Sequence, residues 1–76
     1  MTDERLKEIA YDPLSEAWQI VLMTQYLTQN DEKKWVDYAE AHDAYCKKYA
    51  EKKNSYGYYL AMAVMAIVDE IAKENK

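Results

Sequence analysis

His42 and Cys46 are the only histidine and the only cysteine of the chain, and they stand four residues apart. On a helix that spacing puts both side chains on one face, where an imidazole and a thiolate can ligate one zinc ion. Zinc would need further ligands, which carboxylates from other helices or from a second chain would have to supply. The more economical reading is a packed, hydrogen-bonded core histidine beside a small apolar cysteine. The same scarcity removes other chemistry. A nucleophilic mechanism would pair His42 with a serine or with Cys46 and would need a third, orienting group, and no flanking sequence resembles a nucleophile elbow. The Glu-x-x-His pairs of di-iron bundles are absent, and one glycine in the whole chain leaves no phosphate-cradling loop. Any two of the fourteen acidic residues could converge, but no spacing singles out such a pair. No catalytic activity, cofactor or metal is expected.

Two charged patches have a pattern. Asp31, Glu32, Asp37, Glu40 and Asp43 crowd one half of a helix, and Asp37, Glu40 and Asp43 follow an i, i+3, i+6 row. Such a row can dock a basic partner or mimic a phosphate backbone by electrostatic complementarity; with Lys33 and Lys34 nearby, it is also what an ordinary solvated helix face looks like. Lys47, Lys48, Lys52 and Lys53 lead into Tyr56, Tyr58 and Tyr59, a mixture that can hold single-stranded nucleic acid through phosphate contacts and base stacking. Lysines complement a helix C-terminus in any case, and a net charge of −4 opposes nucleic-acid binding.

The elements that must carry these residues are helices. Seventy-six residues with one Gly and one Pro leave few breaks, so the expected fold is all-α: a small antiparallel three-helix bundle in one domain, with a short leader helix and a tendency to dimerise. The leader runs over about residues 3–11, with Thr2 as cap. Asp12-Pro13 restarts the chain, Asp12 capping and Pro13 in the first turn of a helix to about Gln29. A third helix covers 31–53, with acids at its start and lysines at its end, and Asn54-Ser55 precedes a last helix to about Glu74. The charged N-terminus lacks the apolar core of an export signal, and the run from Tyr56 to Val68 is too short for a membrane span. With one cysteine there is no disulfide framework, and a cytoplasmic setting is expected.

Periodicity assigns the faces. Trp35, Ala39, His42, Cys46 and Tyr49 form one apolar stripe, opposite Asp37, Glu40, Lys47 and Glu51. The last helix has two neighbouring seams. Leu60, Val64, Ile67 and Ile71 are expected to face the bundle, which leaves Tyr58, Ala61, Met65, Val68 and Ala72 as a protein interface, first of all with a second copy. Eight tyrosines and no phenylalanine suit half-buried positions and interfaces better than a dry centre. The leading functional expectation is a small acidic protein-binding module, an inhibitor or adaptor acting by surface occupation, of the general character of small phage anti-defence proteins. A self-assembling structural subunit with no other partner is the second reading, and a metal-assisted enzyme using His42 the third.

Overall fold

The computed structural model describes residues 1–52 and 55–75, and all of its regular structure is helical. The N-terminal rod is continuous. It comprises α1 (Asp3–Leu6), a π-helical turn (Lys7–Tyr11) and α2 (Asp12–Met23). After a connection through residues 24–31 come α3 (Glu32–Glu51) and α4 (Ser55–Glu74). The expected Thr2 cap forms, and Asp31, expected as an acid at the start of the third helix, caps it instead. Thr2 accepts from the Arg5 N–H and Asp31 from the Lys34 N–H, each at 3.1 Å, satisfying donors that a helix start leaves open. The expected end of the third helix at Lys53 and the break at Asn54 lie outside the described residues.

Pro13 does not restart the chain. Asp12 is helical (φ −63°, ψ −52°), and its N–H bonds the Lys7 carbonyl five residues back, so Asp12 makes no cap. A proline inside an α-helix collides with the carbonyl four residues before it. The wider π turn just upstream lets the rod pass Pro13 unbroken. At its other end α2 stops at Met23, six residues before the expected Gln29. Thr24 leaves helical geometry (φ −97°, ψ 7°) and turns its hydroxyl back onto the Val21 carbonyl at 2.7 Å. The apolar period nevertheless runs on to Leu27, because that side chain is fully buried from a turn rather than from a helix. Three hydrogen bonds hold the turn, one from the start of α3 and two from the far end of the chain. Trp35 donates its indole N–H to the Thr28 carbonyl at 3.0 Å, and the Asn75 amide donates to the carbonyls of Gln25 and Leu27 at 2.8 and 2.9 Å.

Three tyrosines, expected at half-buried positions, are the large residues of the core. Tyr38, Tyr45 and Tyr49 point inward with Ala17, Ile20, Leu27, Ala61, Val64, Val68 and Ala72. Burial of a ring removes roughly 150–250 Å² from water, far more than an alanine offers, so α3 is rotated to bury Tyr38 and Tyr45 and leaves Ala39 exposed. Trp35, His42 and Cys46 take the half-buried margin. Two hydroxyls find acceptors: Tyr45 donates to the Pro13 carbonyl at 2.9 Å and Tyr49 to Glu16 at 3.0 Å. Burial pushes the Tyr45 phenol up to about 12, with Glu16 and Cys46 adding to the effect. The Tyr49 phenol is raised by burial and then by its bond to Glu16.

The rings of α3 dictate what α4 must offer. Gly57, Ala61, Val64, Val68 and Ala72 form its buried stripe, and this corrects the expected interface. Ala61, Val68 and Ala72 are only 3%, 0% and 2% exposed; they belong to the chain's own core, while Ile67 turns to solvent. The small residues face inward because large rings stand opposite. A β-carbon at Gly57 would lie 2.5 Å from Cβ and Cγ of Tyr49, so only glycine admits the approach. Adjacent connections are short, so α3 runs antiparallel to α2 and α4 antiparallel to α3. Asn75 at the end of α4 accordingly meets the residues that follow α2.

Candidate functional site

His42 ties α3 to α4. Its Nε2 lies 2.9 Å from the Ala61 carbonyl, which can only accept, so Nε2 carries the proton and Nδ1 is left as an acceptor. Cys46 Sγ stands 3.7 Å from Nδ1, within reach for its S–H to donate there. Both ring nitrogens are thus engaged in protein contacts. Burial and the Asp43 carboxylate push the Cys46 thiol up, which favours its protonated form. Among the described residues no group of three or more His, Cys, Asp and Glu side chains could hold a metal ion. The arrangement is that of a polar brace between two helices.

The acids of the row are all exposed on α3, but their charges are partly answered. Asp37 pairs with Lys33 at 4.0 Å and Asp43 with Lys47 at 3.0 Å, both across one turn of α3 and both at the surface. Glu40 is exposed between them. Steps of three residues on a 3.6-residue helix drift around the axis, so the three acids wind around α3 and do not face one way. Of the basic patch, Lys48 binds Glu16 and stands with Lys52 over the Tyr49 ring, at 5.8 and 5.9 Å from its centroid. Lys48 thus ties α3 to α2. Lys53 lies outside the described residues.

What remains of the expected interface is one flank of α4. Tyr58 and Met65 are both exposed, Met65 at 51%, and Met62, which the periodicity did not single out, is exposed at 67%. Spacings of four and three put Tyr58, Met62 and Met65 in line, with Asp69 next along the same flank. This flank borders α3, because Asp69 is near enough to Tyr38 to raise its phenol, second only to burial. Asp43 stands on the adjoining margin of α3, near enough to act on Cys46. The result is an apolar strip of one tyrosine and two methionines with a carboxylate on each helix beside it.

No family model, curated protein or solved structure matches the chain. The site's own chemistry therefore has to carry the functional reading. No helix among the described residues is long and apolar enough to cross a membrane.

The helical period that sets Leu14 and Trp18 on one side of the Pro13 helix belongs to a second, longer apolar surface. Leu6, Tyr11, Leu14, Trp18 and Leu22 all stand on the surface of the N-terminal rod, Trp18 at 58% exposure. Tyr11, Leu14, Trp18 and Leu22 are spaced 3-4-4, one helical face. Leu6 joins them because a π turn brings residues five apart onto one side, and Leu6 and Tyr11 do line one shallow depression with Asp3 and Lys7. The continuation to Leu6 and Tyr11 is hidden in the sequence because Pro13 divides the stripe there while the rod is continuous in space.

Proposed function

We propose that the chain is a protein-binding module that works by occupying a surface of another protein, as an inhibitor or adaptor does, and that the α4 flank of Tyr58, Met62 and Met65 is its docking strip. The exposure of two methionines on a helix whose inner face is already complete carries this reading. Unbranched thioethers repack around differently shaped anchors at little cost, which suits a surface that receives side chains rather than one that fills a core. Tyr58 contributes an apolar ring with a hydroxyl at the wet rim. Asp43 and Asp69 beside the strip, with a net charge of −4, favour a partner segment whose apolar anchors are flanked by lysine or arginine. The Asp43–Lys47 pair is no obstacle, since an exposed pair contributes little and exchanges partners readily.

Methyl-labelled methionine offers a direct test, because the chain has four methionines and two of them form the strip. Titration with an amphipathic Lys/Leu helical peptide is expected to move the Met62 and Met65 methyl resonances and to leave the Trp18 indole signal in place. The matching Glu/Leu peptide is expected to move neither. Stationary Met62 and Met65 signals, or equal response to both peptides, would remove the strip from consideration.

A further inference from the structure

We infer that two copies of this chain pair through the outer face of the N-terminal rod, antiparallel about a two-fold axis at Leu14. This surface is separate from the α4 strip. The first observation is extent. The accessible surface is 5699 Å², whereas a compact chain of 9.0 kDa exposes about 4,850 Å². The surplus, roughly 850 Å², is close to what one partner contributes to a standard interface. The radius of gyration agrees, at 13.4 Å against about 11 Å for a compact domain of this length.

The surplus lies at the N-terminal end. The molecule is 44 Å long, but α3 and α4, with twenty residues each, span about 30 Å. Pro13 and Glu16 lie against Tyr45, Lys48 and Tyr49 near the end of α3, so the rod preceding Pro13 overhangs the bundle. Residues 1–8 are all exposed. Two turns of helix with nothing packed against them are marginal in water, and a neighbour alongside would supply the missing contacts.

The order of the stripe says what that neighbour is. Leu6, Tyr11, Leu14, Trp18 and Leu22 read nearly the same from both ends. In an antiparallel pair centred on Leu14, Leu14 meets its own copy, Tyr11 lies beside Trp18 of the other chain, and Leu6 on the overhang reaches Leu22 of the other chain. That is the self-complementarity a two-fold interface requires. Each overhang would then be covered by the bundle-level part of the other rod. Charge agrees. Between Pro13 and Asn30 the only ionisable side chain other than the Tyr26 phenol is Glu16, and it is held on the α3 side by Lys48 and Tyr49. Two chains of charge −4 can therefore meet here without bringing like charges together. Trp, Tyr and Leu at the centre are the anchors that give such an interface its affinity.

Light scattering after size exclusion at about 100 μM is expected to give a mass twice 9.0 kDa. Trp18→Glu is expected to give the monomer mass with unchanged helical circular dichroism, since Trp18 is exposed in the folded chain. Met65→Glu is expected to stay dimeric. In a Cys46→Ala background, Leu14→Cys should cross-link to itself with a short bis-maleimide. Leu22→Cys should not, because its two copies would lie about 24 Å apart along the pair. A monomeric wild type, a dimeric Trp18→Glu chain, or loss of the dimer on Met65→Glu would each overturn the inference.

Discussion

The α3–α4 contact and the outer face of α2 are both apolar and both carry large side chains, yet they differ in how those side chains are matched. Across α3–α4, Tyr38, Tyr45 and Tyr49 stand against Gly57, Ala61, Val64 and Val68, large against small, with the Tyr45 and Tyr49 hydroxyls and His42 directed to carbonyls or to Glu16. On α2, Leu14, Trp18 and Leu22 are all large and all exposed, with no small residues to set against them. Graded sizes let two helices of one chain approach closely and fix their register. A row of bulky anchors suits an encounter between molecules, where rings project beyond the backbone to find a partner. An apolar residue count would have scored the two faces alike.

The comparison breaks most decisively at Val64. Val64→Glu places a charge in the α3–α4 core, and a loss of about 3–5 kcal/mol, enough to abolish the cooperative thermal transition of so small a chain, is expected. Met65→Glu, one residue on but exposed, should change stability by no more than about 0.5 kcal/mol. Similar losses for both would mean that α4 is turned differently. Next comes Cys46→Ala. Removing a half-buried sulfur and its contact with His42 should cost about 1–2 kcal/mol in urea unfolding, with metal content at background in both proteins. Stoichiometric zinc lost on substitution would replace the brace with a metal site.

A smaller effect is expected at Tyr45, and pH sharpens it. Tyr45→Phe deletes the bond to Pro13 and should cost about 1 kcal/mol at neutral pH. The folded phenol titrates near 12, above its unfolded value of 10.0, so the folded state holds its proton longer. The stabilisation is complete below pH 10 and declines as pH rises from there towards 12. Thermal melts of the wild type should therefore fall above pH 10, and those of Tyr45→Phe should fall less steeply. Equal slopes would leave Tyr45 without a part in alkaline unfolding. The smallest effect belongs to the acidic row. Reversing Asp37, Glu40 and Asp43 to Lys should leave stability within about 0.5 kcal/mol and helical dichroism unchanged, while weakening and slowing capture of the basic peptide. Unchanged peptide kinetics would reduce the row to a solvated face.

How far the sequence discloses this arrangement depends on the range of the determining contact. Thr2 acts on an N–H three residues away, and its cap is legible as it stands, whereas Asp31 makes the same local contact but reads equally well as an acid of the first turn. The faces of α4 are not legible. Its two seams lie side by side on the helix, and the choice between them is made by the Tyr49 ring against Gly57 and by His42 reaching Ala61, contacts that no local pattern contains. Met65 and Tyr58 were legible as surface, while Ala61, Val68 and Ala72 went to the core because α3 supplied the bulk. Leu27 misled in the same way: its spacing is helical, but Trp35 nearby and Asn75 from far along the chain hold its segment as a turn.

Asn75 also bears on the order in which the molecule assembles. Its side chain joins carbonyls 50 and 48 residues away, so it engages only after α2, α3 and α4 have collapsed together. A contact made that late should be absent from the rate-limiting barrier. Asn75→Ala is therefore expected to hasten unfolding several-fold in stopped-flow measurements while leaving the refolding arm where it was, which makes this one amide a brake on opening rather than a guide to folding.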